Sequence, residues 1–182
     1  MAERKIRSIG IITGGGDAPG MNAAARAVAR AALDNGIKVF GIKNAYKGLV
    51  EDDMIELDEF KLSNIINRAG TFLYTDRYTK FMNPEYVKKG IEVCREKEID
   101  VIVAIGGDGT FRGARDLVRY GMPCIGIPAT IDNDMASSDY TIGFDTALNT
   151  VVNIIDSLRD TCESHARCNI VEVMGRGAGY LT

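Results

Sequence analysis

A largely apolar, β-branched run from Ile6 to Thr13 stops at three consecutive glycines, Gly14 to Gly16, and an alanine-rich stretch of helical spacing follows. Such a run predicts a buried strand, and the glycines predict a loop whose backbone lies close to whatever sits beyond the strand end. The pattern recurs along the chain. Val101 to Ile105 ends at Gly106-Gly107, Cys124 to Ile127 ends at Pro128, and Ile170 to Val173 runs into Met174-Gly175. Lys38 to Ile42 supplies a further predicted strand. Between the strands lie helix-forming segments. Met21 to Asn35 carries Val28, Ala29, Ala32 and Leu33 at helical spacing and a stop at Asn35-Gly36. Pro84 to Lys97, Phe111 to Tyr120 and Gly143 to Thr161 read in the same way. Only Lys43 to Met82 is irregular, with a short strand expected at Met54 to Leu57 and a short helix at Leu62 to Ile66. Strands alternating with helices predict an α/β fold, a doubly wound parallel sheet with helices on both faces, and ligands at the carboxyl ends of the strands.

Composition narrows the function. With 182 residues, 46% of them apolar, the chain can bury one substantial core or a core and the beginning of a second domain. The 22 Lys and Arg against 25 Asp and Glu leave a net charge of −3, so nothing favours nucleic acid or a membrane surface as partner. The N-terminal residues before Thr13 offer too short an apolar run for a signal peptide or a span, which points to a cytoplasmic protein. The four cysteines, Cys94, Cys124, Cys162 and Cys168, contain no C-x-x-C pair and read as reduced thiols. Cys162, His165 and Cys168 do not have the spacing of a zinc site; the thiols read instead as buried near a helix end.

Chemistry concentrates in four loops at strand ends. In Gly14 to Asn22 successive glycines let a backbone approach a phosphate ahead of a helix, although a plain tight turn explains the same residues. Pro19 breaks the dinucleotide fingerprint, and Met21 stands where a P-loop needs lysine. In Gly106-Gly-Asp-Gly-Thr110, backbone N–H groups can hold phosphate oxygens and Asp108 can reach a magnesium ion; the alternative is a helix-capping turn. Pro128 to Asp134 sets Asp132 and Asp134 two residues apart, as a general base with a supporting acid or metal contact requires. It is not an EF-hand, since Ser137 replaces the glycine and Gly143 the terminal glutamate. Met174 to Gly179 offers Arg176 as a phosphoryl clamp.

Taken in order, G-G-D-A-P-G-M-N-A, N-R-x-G-T-F-L, G-G-D-G-T, P-x-T-I-D-N-D, Y-T-I-G-F-x-T-A and V-E-V-M-G-R resemble the ATP-dependent 6-phosphofructokinases over essentially the whole chain. G-G-D-G-T alone is shared with NAD kinases and diacylglycerol kinases; the surrounding motifs are not. The resemblance implies transfer of the γ-phosphoryl of ATP to the 1-hydroxyl of fructose 6-phosphate, with Mg2+. It implies that Gly16, Arg77, Tyr78 and Gly107, Asp108, Gly109 and Thr110 hold the nucleotide, with Asp108 on the metal. It makes Thr130, Asp132, Asp134 and Arg176 the catalytic set, Asp132 being the base. Thr130, Ile131, Asp132, Arg167, Met174, Gly175 and Arg176 would hold the sugar phosphate.

Arg167 resembles an arginine lent across a subunit interface, implying a homo-oligomer, a tetramer in the full-length parent; a solvated surface charge is the alternative. Arg26, Arg30 and Arg159 match an allosteric nucleotide site, but Glu59 stands where regulated members carry arginine, and Arg26 and Arg30 can equally solvate one helix face. By the same resemblance, residues 1–142 are a nucleotide-binding domain without its C-terminal return segments, and residues 143–182 the first helix and strand of the sugar-phosphate domain. The family chain is nearly twice as long, so a partial enzyme is expected, and a non-catalytic binding fragment is the competing expectation. Pyrophosphate-dependent relatives carry Asp at the position of Gly109 and Lys at that of Ala129, so Gly109 implies ATP as donor, while Ala129, not the glycine commonest in ATP users, has no charge with which to grip pyrophosphate.

Overall fold

The computed structural model describes residues 5–136 and 138–182; the first four residues and Ser137 lie outside the described residues. Strands β1 (Ser8–Gly14), β2 (Lys38–Ile42), β3 (Met54–Glu56), β4 (Val101–Gly106), β5 (Cys124–Thr130) and β6 (Ile142–Gly143) form one sheet in the order β3-β2-β1-β4-β5-β6. All neighbours pair in parallel except β3, which runs antiparallel to β2. Helices α1 (Met21–Asp34), α2 (Ala45–Glu51), α3 (Pro84–Glu96), α4 (Asp108–Arg119) and α5 (Phe144–Ser164) connect the strands.

The doubly wound arrangement follows from strands that are apolar on both sides. Ile9 and Ile11 of β1, with Val101, Val103 and Ile105 of β4, face one core against Met21, Ala25 and Ala29 of α1. Ile12 and Ile102, from the alternate positions, face a second core with Leu49 of α2, Ile91 of α3 and Leu117 of α4. The chain leaves β1 for β2 on one side and reaches β4 on the other. The switch point of the sheet therefore lies between β1 and β4, where Gly14 is in register with Gly106.

Several expectations need correction. No helix forms at Leu62 to Ile66; the segment is a series of turns interrupted by Asn64 at φ 58°, while Leu62 and Ile65 still bury against the α1 core. Ile170 to Val173 is not a strand: no described residue pairs with it, Ile170 is 97% exposed, and an isolated strand has nothing to satisfy its backbone groups. Pro128 lies within β5 rather than ending it, at a point where β4 pairs on one side and β6 has not yet begun to pair on the other. Helix α2 was not predicted. It is short, it is bounded by Asn44 and Asp52 in the left-handed region, and it contains Gly48, where a Cβ would lie 1.8 Å from the Lys43 carbonyl oxygen. Of α5 only Phe144 is buried, and Val152, Ile154 and Ile155 are all exposed. Among the described residues no helix is long and apolar enough to cross a membrane.

Candidate active site at the switch point

The first two glycine loops leave the sheet side by side and are fitted to each other. A Cβ on Gly106 would lie 2.5 Å from the Gly14 carbonyl oxygen, so no larger residue fits there without moving backbone. The Thr110 side chain fills the space between them: its Oγ1 would stand 2.7 Å from a Cβ on Gly14. Thr110 is 3% exposed, and its Oγ1 is a buried polar atom without a hydrogen-bond partner. Helix α4 begins at Asp108, three residues before the expected Phe111, so Asp108, Gly109 and Thr110 form its first turn after the cap residue Gly107. No side chain caps this end, and its N–H groups remain directed at the strand ends. Gly16 and Gly109 both face open space.

The carboxylate of Asp108 is held in both oxygens by Arg112, at 3.2 Å from Nε to Oδ1 and 3.0 Å from the terminal guanidinium nitrogen to Oδ2. Among the described residues no group of three His, Cys, Asp or Glu side chains could hold a metal by itself. Asp108 offers one anionic ligand, which fits Mg2+ bound with substrate phosphates and water rather than in an all-protein cage. The orphan Thr110 hydroxyl and the open approach over Gly109 suit the same nucleotide–metal group.

The third loop abuts the second. A Cβ on Gly107 would meet the Thr130 Cβ at 3.4 Å, an ordinary contact. Asn133, at φ 51°, shapes the D-N-D sequence: its Oδ1 accepts from the Thr141 amide at 3.0 Å and its Nδ2 donates to the Asp139 carbonyl at 3.1 Å. Thr141, itself buried, donates to the Thr130 carbonyl at 2.6 Å. Asp132 is half-buried and its amide donates to Thr130 Oγ1 at 3.2 Å. Asp134 meets Arg176 across 3.5 Å, so the fourth loop does reach the third, with Arg176 held at φ 56°.

Other expected residues are less drawn together. Arg77 is exposed, while Tyr78 is half-buried with its ring edge-on to Tyr86 at 6.0 Å. Met174 is 76% exposed and Gly175 has open space around it. Ile131 and Met174 line a groove of about 430 Å³ with Asp17, Pro19, Val151 and Glu172. Its lining includes no cation, so the groove has nothing to balance a sugar phosphate. Arg167 follows the end of α5 and is exposed. Arg26 donates to the Leu62 carbonyl at 3.2 Å, Arg30 is half-buried, and Arg159 pairs with Asp156 and Asp160 on its own helix. Cys94 is buried and Cys124 half-buried, whereas Cys168 at the end of α5 is exposed, against the expectation of a buried thiol there. Ala129 is fully buried in the α1-side core.

Five supporting residues went unread in the sequence: Tyr46, Asn22, Thr13, Thr75 and Arg112. Tyr46 of α2 donates its hydroxyl to the Thr110 carbonyl, stacks on Phe81 at 4.3 Å, and fills the space that a Cβ on Gly113 would need. Burial pushes its phenol above the ordinary range, with Cys124 and Asp116 adding to the effect, so it stays a neutral donor. Asn22 donates to the Arg68 carbonyl at 3.0 Å and accepts from the Phe72 amide at 2.8 Å, fastening N-R-x-G-T-F to the first loop. Thr13 and Thr75 extend that seam through bonds to the Tyr74 and Gly15 carbonyls. The last is Arg112. An Asp four residues before an Arg on a helix is a legible pair, but not one that the sequence connects to a site.

A family model described as Phosphofructokinase matches residues 8–182. The chain is 56% identical over 177 residues to an ATP-dependent 6-phosphofructokinase of Erwinia tasmaniensis and 54% identical to one of Vibrio cholerae, covering 97% of this chain and 55% of each relative. It thus spans little more than half the length of these curated relatives. Among solved structures, phosphofructokinase from Saccharomyces cerevisiae superposes with a TM-score of 0.88 at 31% identity, covering 96% of this chain and 27% of that one. A pyrophosphate-dependent phosphofructokinase from Nitrosospira multiformis superposes with a TM-score of 0.82 at 24% identity over 96% of this chain and 48% of that one, a likeness of fold alone.

Proposed function

We propose that this chain, which belongs to the phosphofructokinase family, forms the nucleotide-binding part of an enzyme that transfers the γ-phosphoryl of Mg-ATP to the 1-hydroxyl of fructose 6-phosphate, giving fructose 1,6-bisphosphate and ADP. The observation that carries this is the adjacency of two unlike loops. The Gly106–Thr110 turn, with its buried unpartnered hydroxyl and one carboxylate, lies against the Thr130–Asp134 loop, which carries a candidate base. One holds a phosphoryl donor and the other faces an acceptor.

In this reading the free amides of α4 and the Thr110 hydroxyl hold phosphate oxygens. Asp108 contributes one ligand to magnesium, which when bound neutralises charge on the donor phosphates. Asp132 accepts the proton of the attacking hydroxyl, its backbone held in place by the hydrogen bond its N–H donates to Thr130 Oγ1. Asp134 anchors Arg176, whose guanidinium balances charge on the transferred group. Ile131, Met174 and Gly175 border the acceptor, and exposed Arg167 serves the sugar phosphate of a neighbouring subunit in a cytoplasmic homo-oligomer, a tetramer in the full-length protein. An allosteric role for Arg26, Arg30 and Arg159 has less support, since Arg26 is committed to the Leu62 carbonyl and Arg159 to its own helix.

ATP rather than pyrophosphate is favoured by the open space at Gly109 and by the names of the relatives above 50% identity. The deciding measurement is kcat/KM for each donor in the chain extended to the length of its relatives; preference for pyrophosphate would overturn the donor assignment. For the 182 residues alone, the cation-free groove and the dispersed Arg167 and Met174 favour nucleotide binding without turnover. Coupled detection of ADP with fructose 6-phosphate tests this directly, and full turnover would refute it.

A further inference from the structure

We propose that Arg112 makes the site select a metal–nucleotide complex over a free metal ion, by occupying the metal-binding carboxylate until an anionic ligand arrives. The inference rests on the reading of Asp108 as a magnesium ligand and adds a residue that none of the recognised motifs contains. Arg112 lies one turn along α4 from Asp108 and holds both of its oxygens, at 3.0 and 3.2 Å. Its side chain is 68% exposed and that of Asp108 37%, so the pair stands at the open mouth of the turn rather than in the core.

The consequence is electrostatic. A free divalent cation approaching Asp108 meets a guanidinium already seated on the carboxylate and must displace or share it, against like charge. A metal–nucleotide complex brings net negative charge and phosphate oxygens. These are the acceptors a guanidinium fork matches best, so Arg112 can exchange one carboxylate for a phosphate and release Asp108 to the metal. Exposed helical pairs of this spacing are weak, so the exchange is easily made. The neighbouring Thr110 hydroxyl lies buried and unpartnered behind the same turn.

The test uses the 182-residue chain and three probes: Mn2+ alone by electron paramagnetic resonance, metal-free ATP, and Mn-ATP by calorimetry. Arg112→Met should tighten binding of free Mn2+ by about threefold, the loss expected for one exposed pair. It should weaken metal-free ATP and Mn-ATP by about tenfold, the loss expected for a charge-assisted contact. Arg112→Lys, which keeps the charge, should restore Mn2+ affinity to that of the parent and most of the ATP affinity. Asp108→Asn should lose Mn2+ binding whatever stands at 112. Affinities for Mn2+ and ATP that are unchanged in Arg112→Met, or that move in the same direction, would overturn the proposal while leaving the nucleotide site intact. Failure of the parent chain to bind ATP or Mn-ATP at all would overturn both readings together.

Discussion

Replacing Asn22 by Ala should destabilise the fold by about 3 kcal/mol, because one buried amide holds a whole segment to the first loop. Asn22 is 2% exposed and makes two bonds, one to the carbonyl of Arg68 and one from the amide of Phe72. The two losses differ. Arg68 is exposed, so its carbonyl can be rehydrated and its bond accounts for about 1 kcal/mol, while the half-buried Phe72 amide loses its acceptor and adds about 1–3 kcal/mol. For a chain of this size each kcal/mol lowers Tm by about 2–4 °C, giving about 6–12 °C by far-ultraviolet circular dichroism. Asn22→Asp refines the test. It keeps an acceptor for Phe72 but sets a carboxylate oxygen against the Arg68 carbonyl, and burial raises its pKa above the unfolded value near ~4. The contribution of Asp at this position is therefore least unfavourable below about pH 4 and worsens as pH rises, so the deficit of the variant against the parent should grow between pH 4 and 7. A drop in Tm under about 2 °C for Asn22→Ala would show that the seam through Thr13 and Thr75 suffices, and the reasoning would fail.

Asp132→Asn, in the chain extended to the length of its relatives, should lower kcat by about a hundredfold or more with little change in ATP affinity, since a base acts on the transition state; a loss under about tenfold removes it from that role. Gly109→Asp should leave Tm almost unchanged, because a side chain there meets nothing within 4 Å, yet sharply weaken ATP binding by placing a second carboxylate in the phosphate approach; equal ATP affinity by calorimetry would refute this. Burial pushes the thiols of Cys94 and Cys124 up to about 12, so at pH 8 a thiol-disulfide reagent should modify exposed Cys168 first, half-buried Cys124 more slowly and Cys94 only on unfolding; rapid modification of Cys94 in the folded chain would contradict its burial. The same shifts mean that stability is retained below about pH 9 and declines as pH rises from there toward 12, which alkaline denaturation midpoints would register.

The parallel sheet was legible because β1 and β4 carry largely apolar runs that end in glycine and alternate with helix-forming segments, a signal that depends only on neighbours in sequence. Where the pattern misled, a partner outside the segment decided the outcome. Ile170 to Val173 has the composition of a strand, but strand formation needs another edge, and none of the described residues supplies one. Leu62 and Ile65 bury their side chains as expected of a helix face, yet tertiary contacts with α1 give them that burial without helical backbone, through turns that Asn64 permits. Helix α4 begins earlier than expected because its cap position is Gly107, where no Ser, Thr, Asp or Asn side chain marks the boundary, although Asp108 itself opens the first turn.

The site divides along the same physical line. Asp108, Thr110, Asp132 and Arg176 announce themselves through glycine spacing and charge, since a group that touches a phosphate must be a hydrogen-bond donor and one that serves it from a distance must be a carboxylate acting on a metal or a proton. Tyr46, Asn22 and Thr75 act on the main chain of distant segments: Tyr46 on Thr110, Asn22 on Arg68 and Phe72, Thr75 on Gly15. Every residue presents a carbonyl, so such a bond leaves no mark on its acceptor, and only the donor is constrained. For this reason the second layer could be found only once the loops were placed in space. It also implies that substitutions at Tyr46 or Asn22 should disturb nucleotide binding by way of loop position, in proportion to lost stability, whereas those at Gly109 or Arg112 should disturb it with stability intact.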